Sequence, residues 1–195
     1  MDRVAEALAS GGVVAYPTDT FYGLGVNPAD QAAAEALFAA KGRRSGEPLP
    51  LIASDLRRLE ALAGPLSPMA RRLAAAFWPG PLTLVVPRGA AVLAPAVTAG
   101  GDTMAVRVPA HLVARAVAEC AGGLVTSTSA NRSGEAPAAT AAEVLRALGG
   151  GIALVVDGGP TAGESASTIV DVTGAHPRLI RPGRVAFDRV LESLK

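Results

Sequence analysis

The chain has 195 residues, half of them hydrophobic and 4% aromatic, and its 18 basic and 17 acidic side chains leave a formal net charge of +1. This length suits one domain with a real core, expected to span 1–195, and the balanced charge excludes bulk electrostatic attraction to nucleic acid. No apolar run approaches the roughly 18 to 20 residues of a membrane span, and with Cys120 as the single cysteine no intrachain disulfide can form, so a cytoplasmic protein is expected.

The opening "MDRVAEALASGG" carries acids on a helical period, which predicts a helix over 2–9 and does not read as a signal peptide. An apolar strand follows over 13–16. It breaks at Pro17 into Thr18, Asp19 and Thr20, with Phe21 and Tyr22 directly behind them. Three rings, Tyr16, Phe21 and Tyr22, thus cluster in a chain that has few. Further helices are expected over 30–40, 55–62, 68–77, 110–120, 140–148 and 186–194. Ser67-Pro68 reads as an N-cap with proline at the first helical position, and Thr140 to Glu143 as a capping box. Strand-like runs occupy 49–52, 82–86, 105–108, 124–127, 153–156, 168–172 and 179–180. Strands and helices interleave, but some strands follow one another directly. The fold class expected is α/β, with a twisted mixed β-sheet flanked by helices.

Several chemistries are set aside. His111 and His176 are far apart and no His/Cys cluster has metal-ligand spacing, so no metal site is expected. There is no G-x-S-x-G elbow and no Walker A motif, and "GLGVNP" lacks the third glycine of a dinucleotide loop. His111 opens a helix and reads as a surface residue. What remains is a set of loops after strands, "PTDT", "PGPLT", "SANRSG", "DGGPTAGES" and "RPGR", rich in hydroxyls or arginine. Lys41, Arg43, Arg44, Arg107, Arg181 and Arg184 lie in loops or at element ends, where they could converge on an anion. Hydroxyls and cations from separate loops suit carboxylates and phosphates. Such a site, without an evident base, would act by positioning and charge stabilisation. Composition and spacing therefore reach as far as an anionic small ligand, for example a nucleotide.

In order, "YPTDTFYGLG" (16–25), "KGRRSGEPLPL" (41–51), "PGPLTLVV" (79–86), "MAVRVPAH" (104–111), "TSTSANRSGEAP" (126–137), "ESASTIVD" (164–171) and "RPG" (181–183) resemble the YrdC-like family, the threonylcarbamoyl-AMP synthases. The resemblance implies a YrdC-like fold with a central cavity. It implies a nucleotidyltransferase that forms threonylcarbamoyl-adenylate and pyrophosphate from ATP, L-threonine and bicarbonate (or carbon dioxide), with Mg2+ accompanying ATP. The product would serve tRNA threonylcarbamoyladenosine modification through the family's transferase complex subunits. Weak tRNA or RNA binding is a further implied partner, and no membrane is.

By the same resemblance Lys41 and Arg43 match the family's Lys-x-Arg, catalytic and facing the nucleotide phosphates. Arg44 stands where a proline is usual. The alternative for both cations is a solvated helix end. Thr103, Ser127, Ser129, Asn131 and Arg181 match further nucleotide contacts. Thr20, Tyr22, Arg107 and Ser167 match the threonine side, with Arg107 clamping the carboxylate. Tyr16 and Tyr22 line the pocket or are core rings, and Asp19 caps the turn. Other readings are an RNA-binding module, the YrdC-like module of hydrogenase-maturation carbamoyltransferases, and a paralogue that has lost the threonine reaction.

Overall fold

The computed structural model describes residues 1–43, 46–163 and 165–195. Eight helices are seen among them: α1 (Asp2–Ala9), α2 (Gln31–Lys41), α3 (Leu56–Ala63), α4 (Pro68–Phe77), α5 (Pro95–Thr98), α6 (Leu112–Cys120), α7 (Ala141–Leu148) and α8 (Phe187–Glu192). Side chains cap several of them as their sequences predict. Ser67 accepts from Ala70 N with Pro68 in the first turn, and Thr140 and Glu143 form a reciprocal capping box. Asp30 and Asp55 cap α2 and α3 in the same way. Each cap is worth about 1 kcal/mol. The one-turn helix α5 has too few residues to carry a periodic signal.

The strands are β1 (Val14–Tyr16), β2 (Gly23–Gly25), β3 (Leu51–Ala53), β4 (Leu82–Pro87), β5 (Thr103–Arg107), β6 (Leu124–Thr126), β7 (Thr128–Ser129), β8 (Leu154–Val155), β9 (Thr168–Asp171) and β10 (Arg178–Arg181). They form two mixed sheets rather than the single one expected, in the orders β7-β2-β1-β8 and β10-β9-β4-β5-β3-β6. In the first, β1 runs parallel to β8 and antiparallel to β2. In the second, β4/β9 and β3/β5 are parallel and the remaining pairs antiparallel.

β1 is buried on both faces, which is why its residues read as one apolar run. Val14 and Tyr16 pack with Val4, Leu8, Val117 and Val125, while Ala15 belongs to the larger core with Leu24, Leu37, Leu84, Val106 and Val144. The strand β2 was hidden by its glycines. A Cβ on Gly25 would stand 2.7 Å from Thr126 O and 2.8 Å from the Tyr16 ring. The missing side chain lets the two sheets approach there.

That approach creates a seam. β6 belongs to the second sheet and β7 to the first, and Ser127 alone lies between them. Val26 N donates to Thr126 Oγ1 at 2.9 Å, and the Tyr16 hydroxyl donates to Thr126 O at 2.8 Å. Ser127 N donates to Pro50 O at 2.7 Å. The loops at this seam carry most of the polar residues singled out above.

Candidate active site

A cavity of about 540 Å³ opens at the seam. Its wall includes the turn after β1, the end of α2, the segment around Pro48–Leu51, Thr83 of β4, Arg107 of β5, the 127–134 loop, the start of β9 and Arg181. Of the site residues predicted from sequence, Thr20, Tyr22, Lys41, Arg43, Arg107, Ser127, Ser129, Asn131, Ser167 and Arg181 all line it. Thr103 does not. It opens β5 four residues before Arg107 and is exposed. At about 3.3 Å per residue it lies roughly 13 Å along the strand from Arg107, outside the cavity. Arg44 falls outside the described residues.

Lys41 is the last residue of α2, which ends at a left-handed Gly42. It is only 3% exposed, so the solvated helix end is ruled out. Its ammonium donates to the Ser129 carbonyl, to Asn131 O at 2.8 Å and to Asn131 Oδ1 at 3.2 Å. Burial, and secondarily the charge of Arg43, lower its pKa to about 8. All three acceptors are neutral, so the full charge remains available to an anion. Arg43 is paired with the largely exposed Glu47, at 2.6 Å, and lies 5.8 Å from the centre of the Phe38 ring. A carboxylate so wetted is a weak competitor. Asn131 lines the cavity, and its amide nitrogen donates to Arg132 O and Glu135 O, bracing its own loop.

Arg107 is buried and paired with Asp19, with its second terminal nitrogen 3.4 Å from Thr18 Oγ1. Asp19 therefore does more than cap a turn. The Thr18 hydroxyl donates to Phe21 O at 2.7 Å, accepts from Thr20 N and lies 3.0 Å from the Thr20 hydroxyl. Arg181 donates to Ser167 O and Oγ, and Ser167 Oγ lies 2.8 Å from Thr83 Oγ1. Burial, then the neighbouring Arg107 charge, push the Arg181 pKa down. Gly183 lets this arginine's segment press on the start of β9, since a Cβ there would sit 2.4 Å from Ala166 O.

The two tyrosines part ways. Tyr16 is fully buried in the core and contributes nothing to the cavity wall, because its strand is covered on both faces. Tyr22 lines the cavity, and its hydroxyl donates to Gly159 O at 2.8 Å, tying down the segment after β8. Burial raises the pKa of this phenol. His111, expected at the surface, is half-buried beside Asp19, with Nδ1 buried and unpartnered; burial lowers its pKa and the Asp19 charge opposes that. Sequence reasoning assigned no role to Thr83, named Thr18 without giving it one, and gave Asp19 too small a part. The signal for Thr83 was present, as a hydroxyl between Leu82 and Leu84 on an otherwise apolar strand.

Among the described residues no group of three or more His, Cys, Asp or Glu side chains could hold a metal ion, and no helix is long and apolar enough to cross a membrane. The cavity wall carries four cationic side chains, several hydroxyls and the carboxylate of Glu47, which pairs with Arg43, while Asp19 pairs with Arg107.

A family profile described as "Telomere recombination" (Sua5_yciO_yrdC) matches residues 6–183. The chain is 40% identical over 188 residues to the threonylcarbamoyl-AMP synthase of Bacillus subtilis, covering 96% of this chain and 54% of that protein. It is 44% identical over 165 residues to the threonylcarbamoyl-AMP synthase of Thiobacillus denitrificans, covering 85% and 87% respectively. Among solved structures, P. abyssi Sua5 complexed with L-threonine superposes with a TM-score of 0.91 at 38% identity, over 98% of this chain and 56% of that one. The chain spans about half the length of the Bacillus and Pyrococcus proteins and most of the Thiobacillus protein.

Proposed function

Because this chain belongs to the Sua5/YciO/YrdC family, we propose that it is a threonylcarbamoyl-AMP synthase acting on L-threonine, bicarbonate and ATP. The observation that carries this reading is one cavity lined by two pairs of cations. Lys41 neighbours Arg43 and Arg107 neighbours Arg181, and the hydroxyls of Thr20, Ser127 and Ser167 lie on the same wall. A triphosphate and an amino-acid carboxylate are two anions that such an arrangement can hold at once.

The chemistry runs in two stages. The threonine amine condenses with bicarbonate to a carbamate, releasing water. A carbamate oxygen then attacks the α-phosphorus of ATP, and the bond to the β-phosphate oxygen breaks to release pyrophosphate. Arg107 orients the amino acid by its carboxylate. Lys41, held by backbone carbonyls, is a fixed point charge for phosphate oxygens, and Arg43 can exchange Glu47 for phosphate. Catalysis on this reading comes from alignment and preorganised charge. The described residues lining the cavity include no Cys or His, so no enzyme-bound acyl intermediate is invoked. Magnesium belongs to the nucleotide as part of the substrate, where it neutralises charge on the phosphate oxygens.

The test is mass spectrometry of the products after incubation with ATP, bicarbonate and threonine. The adenylate and pyrophosphate are expected, each requiring both threonine and bicarbonate. Release of ADP would mean attack at the γ-phosphate and would overturn the proposal.

A further inference from the structure

Asp19 ties its own turn to two segments that are distant in sequence. Its Oδ1 accepts from Arg107 NH1, at the end of β5. Its Oδ2 lies 3.3 Å from Ala110 N, just ahead of α6. Its backbone carbonyl accepts from Arg184 NH1 at 2.9 Å, beyond β10. The Arg107 guanidinium is 7% exposed and the Asp19 side chain 14%, so this pair is shielded, unlike the Arg43–Glu47 pair.

A buried guanidinium needs a counter-charge, and Arg107 also faces Arg181, whose donors go to Ser167 among the described residues. Asp19 supplies that charge but does not take both terminal nitrogens. Only NH1 contacts it, whereas NH2 is 3.4 Å from the Thr18 hydroxyl, at the long limit for a hydrogen bond. A guanidinium has five N–H donors, and a carboxylate bound in fork geometry needs two of them. One partner can therefore hold the group while a second anion binds.

We infer that Asp19 is a positioning residue, which aims the Arg107 guanidinium into the cavity through a contact to NH1 and leaves its remaining donors for the carboxylate of the amino-acid substrate. The inference rests on the threonine reading given above. It assigns Asp19 to amino-acid recognition and gives it no part in nucleotide binding, since Lys41 and Arg43 are held by other groups.

Asp19→Asn tests this, because asparagine keeps an oxygen acceptor and suits the same turn but lacks the charge. The expected result is a rise in KM for threonine of about tenfold, with kcat and KM for ATP changing less than threefold. Asp19→Glu, which restores the charge on a longer arm, is expected to recover part of the loss. An unchanged threonine KM, or an equal rise in both KM values, overturns the inference. Should Asp19→Asn fail to fold, Asp19→Glu carries the same test with a smaller rise. If the wild-type protein makes no adenylate, the functional reading fails by itself. The Asp19–Arg107 pair is then tested without substrate, by a double-mutant cycle of Asp19→Asn and Arg107→Lys in urea unfolding. Non-additive midpoints are expected, and strict additivity overturns the pairing.

Discussion

The two buried cations of the cavity wall, Lys41 and Arg107, are held by different means. Lys41 is surrounded by neutral oxygens of Ser129 and Asn131, whereas Arg107 is matched by the carboxylate of Asp19. Neutral acceptors satisfy the hydrogen bonds of an ammonium without cancelling its charge, so Lys41 keeps its field and carries the burial penalty as a lowered pKa. A carboxylate cancels charge but fixes direction. The first arrangement suits stabilisation of charge on a phosphate, and the second suits orientation of a small carboxylate.

The largest expected effect follows from removing the uncancelled charge. Lys41→Ala should lower the rate of pyrophosphate release on the order of a hundredfold, about 3 kcal/mol. An unchanged rate would show that the lysine braces the 129–131 loop and nothing more. Arg107→Ala should raise KM for threonine by about thirtyfold, about 2 kcal/mol, while altering KM for ATP much less. The reverse ranking, from the same initial-rate measurements, would move Arg107 to the nucleotide side.

A pH series sharpens the contrast. With the Lys41 pKa at about 8, kcat/KM for ATP should fall toward a slope of tenfold per pH unit above pH 8, as the free enzyme loses the ammonium. The effect on stability has the opposite sign. Between about pH 8 and the ordinary value of 10.5, the unfolded chain holds the proton that the folded chain has released, so stability rises with pH by up to about 3 kcal/mol. Below pH 8 both states are protonated and the penalty is fully present. Urea unfolding of wild type against Lys41→Met should show this rise in the wild type and not in the variant. The smallest effect concerns the amino-acid substrate. Serine lacks only a methyl group, so its kcat/KM should be lower than that of threonine by about five- to tenfold. Equal turnover would remove the argument for a methyl-sized wall.

Much of this site was legible before the fold was known. Lys41, Arg107 and Arg181 stood out as cations at the ends of strands and helices, and Ser127 and Ser167 through the order of the family's motifs. The capped helices were legible too, since Ser67, Pro68, Thr140 and Glu143 act within one turn of their own position. The misses have local causes. β2 is a glycine strand that has no propensity signal, and α5 is a single turn. Thr103 shares a strand with Arg107, but strand spacing alone does not say where a cavity ends. Tyr16 and Tyr22 lie in one short motif, yet one is a core ring and the other a cavity wall.

The sequence by itself determined most of the elements, the Ser67 and Thr140 caps and the residue types that meet at strand ends, because these depend on contacts a few positions apart. It also carried the family resemblance, through the order of motifs that are weak one at a time. Only the tertiary structure decided that the strands divide into two sheets, that the chain crosses between them at Ser127, and that a buried Lys41 is held by carbonyls 88 and 90 residues away. It likewise decided that Asp19 faces Arg107 across 88 positions. Such partners meet only in the folded chain, and no local pattern encodes which distant group a buried charge will meet.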